Sequence, residues 1–224
     1  VLLADTPAFE DAVRARLAKS GGLGYAQPTA QTFPPVESFF AWAAACGAVP
    51  MTAWLDGTSE GERDARAYLE GMRERGAAAI NIIPDRNWNL EDAEARRLKV
   101  SKLREIVAVA EAMHFPVNVG TEMNKQGLPF VDELDTEALR PHKATFLRGA
   151  RIMVGHALLQ RYAEGAYLGE KTRTLLPDVE QRNEVYANVG ALPPLNEAQG
   201  LDLETMGPEK AWDWFMDRKD AVDV

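Results

Sequence analysis

The stretch Ala77–Trp88, AAAINIIPDRNW, is an apolar run broken only by Asn81 that ends on Pro84 and opens at once onto Asp85, Arg86 and Asn87. A short run of this kind, rich in isoleucine and stopped by a turn residue, reads as a strand. Because it hardly alternates, it suits a strand covered on both faces in a parallel sheet. Two further runs read the same way, FPVNVG at 115–120 and RIMVG at 151–155. With Leu23–Ala26 and Val49–Trp54 they make five predicted strands: Leu23–Ala26, Val49–Trp54, Ala78–Ile83, Pro116–Gly120 and Arg151–Gly155.

Helical patterns separate them. PPVESFFAWAAACG has proline at its start and glycine at its end, and SEGERDARAYLEGMRERG opens with Ser59 and Glu62 at capping-box spacing and closes on Gly76. LKVSKLREIVAVAEAMH sets Val100, Leu103, Val107 and Ala110 on one face, and TEALRPHKATFLRGA carries Pro141 as a helix start or kink. The order βαβαβαβαβ implies right-handed crossovers and a parallel sheet. Strand starts recur every 26 to 38 residues, near the roughly 30 of a (βα)₈ barrel unit. The expected fold is therefore α/β, the C-terminal five strands of a TIM-like (βα)₈ barrel over residues 1–170, with an all-helical extension over 171–224 packed on it. An open five-stranded sheet is the alternative.

The chain has 224 residues with 46% hydrophobic and 26% charged side chains, enough for one sizeable core. A formal charge of -9 opposes phosphate backbones and anionic lipid, so nucleic acid is not expected as a partner. The single cysteine, Cys46, excludes an internal disulfide and reads as a buried thiol in an apolar helix. No membrane span and no signal peptide stand out, which makes the cytoplasm the expected location. The absence of an initial methionine leaves room for an upstream segment that completes the barrel, or for a homo-oligomer.

In a parallel sheet the functional edge is the carboxyl end of the strands. The five exits carry Gln27, Asp56, the triplet Asp85-Arg86-Asn87, Glu122 with Asn124, and His156. Asp56-Gly57 reads best as a turn and helix cap. Arg86 could clamp an anionic substrate or pair with Glu122 across the rim. Glu122 and Asn124 alternate and would face one pocket, suiting a hard metal ion or acid–base chemistry. His156 is a candidate ligand or base, or a hydrogen-bonded rim residue. There is no HxH, HExxH, GxSxG, P-loop or GxGxxG.

VGTEMN (119–124) resembles the strand motif of PHP-type phosphoesterases, and VGHALLQR (154–161) looks like a histidine-bearing strand exit of PHP and amidohydrolase-type barrels. The resemblance covers about 40 residues; it lacks the N-terminal HxH and the late Asp-x-His of those families. It implies a metal-dependent hydrolase acting on a phosphoester or C–N bond, with Glu122 and His156 holding a divalent Zn, Mn or Mg ion. Asp85 would then be acid/base or third ligand, and Gln27, Arg86, Asn87 and Asn124 would bind a small anionic substrate. Two alternatives stay open: a sugar-acid isomerase, epimerase or lyase using Glu122 and His156 as acid and base, and a non-catalytic subunit completed by another chain, with Trp42, Trp212, Trp214 and Phe215 as partner-facing aromatics.

Overall fold

The computed structural model describes residues 6–121, 123 and 130–220. It is α/β and mostly helical, with one parallel sheet of three strands in the order β1 (Met51–Trp54), β2 (Ala79–Ile82), β3 (Val117–Val119). Register is set by Ala53↔Asn81 and Asn81↔Asn118, and by Trp54↔Ile82 and Ile82↔Val119 on the opposite face.

The crossovers from β1 to β2 and from β2 to β3 contain α3 (Ala65–Glu74) and α5 (Ala93–Ala112), each started by an aspartate cap, Asp64 and Asp92, that accepts backbone N–H bonds. Right-handed crossovers in one direction put both helices on the same face. There Leu69 of α3 and Leu103, Ile106 and Val107 of α5 pack on Trp54, Ile80, Ile82 and Val117 to form the first core. On the other face Ala53 is exposed, and Asn81 and Asn118, paired at 2.7 Å with the Asn118 Nδ2 donating, are half-buried.

Two predicted strands are not strands. Leu23–Ala26 is an exposed turn segment in which Leu23 is 94% accessible. Its backbone N–H groups at Leu23 and Gly24 are spent on the Arg16 and Leu17 carbonyls at the end of α1 (Thr6–Leu17), so none is left for a ladder. Arg151–Gly155 lies inside α6 (Lys143–Ala163), which runs on from a 3₁₀ turn at Arg140–His142 that contains Pro141. Phe146, Gly149, Ile152, Gly155, Leu159 and Ala163 are its buried positions, a helical period that the four apolar residues of IMVG-type runs cannot reveal alone. Cys46 is exposed rather than buried, because α2 (Val36–Ala45) buries only Phe40 and the cysteine is its C-cap. Nor do Ser59 and Glu62 form a capping box, since α3 starts later, at Asp64.

Beyond α6 the chain is helical, as expected: α7 (Glu170–Leu175), α8 (Val179–Gly190), α9 (Glu197–Met206) and α10 (Pro208–Met216). They build a second core around Leu159, Tyr167, Tyr186 and Leu203, in which Trp212 and Phe215 are buried and Trp214 is packed. The tail aromatics therefore serve this core, whereas Trp42 on α2 remains 65% exposed.

Val49 and Ala78, just ahead of β1 and β2, pack on the second core. The Asn183 Nδ2 donates to the His114 carbonyl, just ahead of β3, at 2.8 Å. The helical unit thus closes the amino ends of the strands and leaves their carboxyl ends to the loops. This closure depends on close backbone approach: a Cβ on Gly155 would lie 2.0 Å from the Tyr186 carbonyl oxygen of α8. Replacing Gly155 by alanine is expected to lower stability by about 1–3 kcal/mol or more, against little change for the exposed Val154→Ala. Urea denaturation midpoints check both.

Candidate functional site at the carboxyl ends of the strands

Backbone donors leaving β1 are gathered by one buried carboxylate. Glu62 accepts from the Leu55 N–H at 2.8 Å and from the Gly57 N–H at 3.2 Å, fixing the loop 55–62. Asp56 behaves as its turn sequence predicts. Burial raises its pKa, but the Thr58 hydroxyl and N–H and the Lys99 ammonium, 2.9 Å away, win and hold it below the usual value. It is structural.

The exit of β2 turns directly into the four-residue helix α4 (Asp85–Trp88). Asn87 is fully buried, and its Nδ2 donates to the carbonyls of Leu55 and Ile83, both at 3.2 Å, tying the β1 exit to the β2 exit. Among the described residues its Oδ1 has no hydrogen-bond partner. Asp85 is half-exposed and accepts from the Asn89 Nδ2 at 3.0 Å, and Arg86 beside it is also half-exposed and engaged. The predicted triplet is thus one strut and two groups at the rim.

Asp132, on the segment after the β3 exit, joins them. It is only 6% exposed, yet among the described residues neither carboxylate oxygen has a hydrogen-bond partner. Burial first, and the Asp85 charge second, raise its pKa. The Trp88 indole N–H and the Asp85 backbone N–H oppose this in part, though neither completes a hydrogen bond to it, and among the described residues the Trp88 Nε1 has no hydrogen-bond partner. Two carboxylates and an unused N–H donor thus meet at the carboxyl edge.

The other predicted residues fall elsewhere. Glu122 and Asn124 lie outside the described residues. Gln27 is exposed in the irregular segment between α1 and α2. His156 is not at a strand exit: it sits midway along α6, half-buried, where its Nδ1 accepts the Tyr167 N–H at 3.1 Å. Its neighbour Gly47 precedes β1, which puts it at the amino side of the sheet, away from Asp85. Burial lowers its pKa, with the Gly47 backbone acting the other way. Among the described residues no group of three or more His, Cys, Asp or Glu side chains is gathered as a metal site.

Sequence reading missed Asp132 and Glu62. Each is one acid in an acid-rich loop, FVDELD or SEGERD, and no spacing rule separates a buried acid from its solvated neighbours. The only available signal is that both loops follow strand exits.

Asp132 carries a pH signature. A carboxyl whose folded pKa is raised favours the native state only when protonated, so its penalty is absent below the ordinary aspartate range and develops as pH rises through the elevated folded value. Asp132→Asn is expected to stabilise the protein at pH 7 by about 1 kcal/mol or more, the cost of a buried unpaired charge. The gain shrinks as pH falls from the raised folded value toward the ordinary aspartate value and is gone below it, as unfolding curves at several pH values will show.

Set against family models, curated proteins and solved structures, the chain returns no match.

Proposed function

We propose that this chain is a metal-dependent hydrolase domain whose site lies at the carboxyl ends of β1–β3, with Asp85 and Asp132 as the carboxylates that take a hard divalent cation. The observation that carries this reading is the buried carboxylate of Asp132, both oxygens without a hydrogen-bond partner among the described residues, near the charge of Asp85. A buried anion without a partner is costly, and a cation offsets that cost more fully than any neighbouring side chain does here. Mg²⁺ and Mn²⁺ are commonly held by one or two carboxylates, with water and substrate oxygens filling the other positions. His156, on the amino side of the sheet with its Nδ1 already engaged, does not fit such a site.

A bound divalent ion would supply a water of lowered pKa and polarise a phosphoryl or carbonyl oxygen. The chain's own residues would do the rest. Asn87 and Glu62 hold the first two strand exits in fixed relation, Asp85 and Asp132, close enough for one charge to act on the other, would share the ion, and Arg86 would orient the anionic substrate. Asn81 and Asn118 lie below this rim on the sheet face that α3 and α5 leave uncovered. The unreversed strand order with helices on one face is also how consecutive units of a (βα)₈ barrel are arranged; we read the sheet as such a segment.

Calorimetric titration with Mn²⁺ tests the proposal. Saturable binding is expected, weakened about tenfold or more in Asp132→Asn and in Asp85→Asn, in line with the loss of a charged ligand, and unchanged in His156→Gln. Hydrolysis of p-nitrophenyl phosphate should require the same ion. If the unaltered protein binds neither Mn²⁺, Mg²⁺ nor Zn²⁺, or if Asp132→Asn binds as well as it does, the assignment fails.

A second reading follows from the same pair of carboxylates in unlike environments, one half-exposed and one buried: an acid–base couple for a sugar-acid isomerase or lyase. Exchange of a substrate C–H proton with solvent deuterium in the absence of added cation would favour it.

A further inference from the structure

We infer that a cleft along α5, lined in part by Trp88, is a binding site for a small oxyanion carrying a flat apolar body. The cleft has a volume of about 460 Å³, within the range of pockets that hold small ligands. One wall is a stripe along α5 made by Arg96, Arg97, Val100 and Arg104, positions that lie on one helical face. Trp88 and Ala138 supply the apolar remainder.

Charge is what distinguishes this cleft. The protein is acidic, at -9, yet three arginines line this cleft against one carboxylate residue, Glu137. Their neighbours on the same helix are paired, Lys99 with Asp56 at 2.9 Å and Lys102 with Glu105 at 2.8 Å. Among the described residues Arg96, Arg97 and Arg104 have no ion-pair partner, and the charged group that acts with Arg104 on His142 is Glu111, not a carboxylate of the cleft. Guanidinium forks grip carboxylate and phosphate through paired hydrogen bonds, and the indole of Trp88 with Val100 and Ala138 offers a flat apolar surface for the body that bears the anion. The site does not depend on cation binding at Asp85 and Asp132, although Trp88 adjoins both.

The test uses the full chain without added divalent cation, with phenyl phosphate and benzoate as probes, followed by calorimetry and by Trp fluorescence. Saturable binding of at least one probe is expected. The preferred probe tells whether the natural anion is a phosphate or a carboxylate. Each of Arg97→Gln and Arg104→Gln should weaken it about tenfold, the loss of one charge-assisted hydrogen bond, and the fluorescence change should vanish in Trp88→Phe. Arg66→Gln, an exposed arginine paired with Glu70 on α3, should bind as the unaltered protein does. Absence of saturable binding of both probes up to about 10 mM, above the weakest affinity of interest, overturns the inference. So does binding that survives Arg97→Gln and Arg104→Gln combined. Either result leaves the Mn²⁺ titration at Asp132 untouched, so the two sites stand or fall separately.

Discussion

Helix α6 comes so close to β3 that a methyl group on Gly149 would sit 1.8 Å from the Val117 carbonyl oxygen, and so close to α8 that Gly155 of α6 and Gly190 of α8 meet with no side chain between. Much follows from this backbone contact. It joins the sheet to the helical unit and lets Phe146 enter the first core while Ile152 and Leu159 enter the second. It also decides which end of the strands is sealed. With the amino ends closed by α6 and α8, polar groups that need water, a partner or a ligand can be accommodated at the carboxyl ends alone.

At that open edge, order is provided by buried polar groups rather than by packing. Glu62 collects N–H groups from the β1 exit, and Asn87 bridges the carbonyls of two exits, so the loops are tied to each other through side chains. Asp132 is the exception, a carboxylate taken out of water and, among the described residues, left without a hydrogen-bond partner near a second carboxylate. A chain selected for stability alone has no reason to keep such a group. Unpaired buried charge is a stability penalty that functional sites characteristically carry.

The contrast between the two histidine and carboxylate candidates shows how local signals mislead. VGHALLQR looks like a strand ending in a ligand, but IMVG is four residues long, too short for periodicity to separate strand from helix. Extending the window to Phe146 and Leu159 brings out the helical spacing, and with it His156 moves to the far end of the sheet. AAAINIIPDRNW, by contrast, was legible because a β-branched run meets a proline and then a polar triplet, and all of these features act within a few residues. Its exit residues do lie at the carboxyl edge, although only the fold reveals that Asn87 is a strut while Asp85 acts on another acid, Asp132.

By itself the sequence determined the α/β class, the parallel pairing of two of its three near-continuous apolar runs, the helical C-terminal unit and the polar character of the β2 exit, since these rest on propensity, periodicity and caps. Only the tertiary structure decided the number of strands, the burial of Asp132 and Glu62, and the exposure of Cys46. It alone placed His156 at the amino side and gathered unpaired arginines beside Trp88. Those outcomes depend on which distant segments share a surface, and burial and charge pairing are properties of that shared surface rather than of any local stretch of chain.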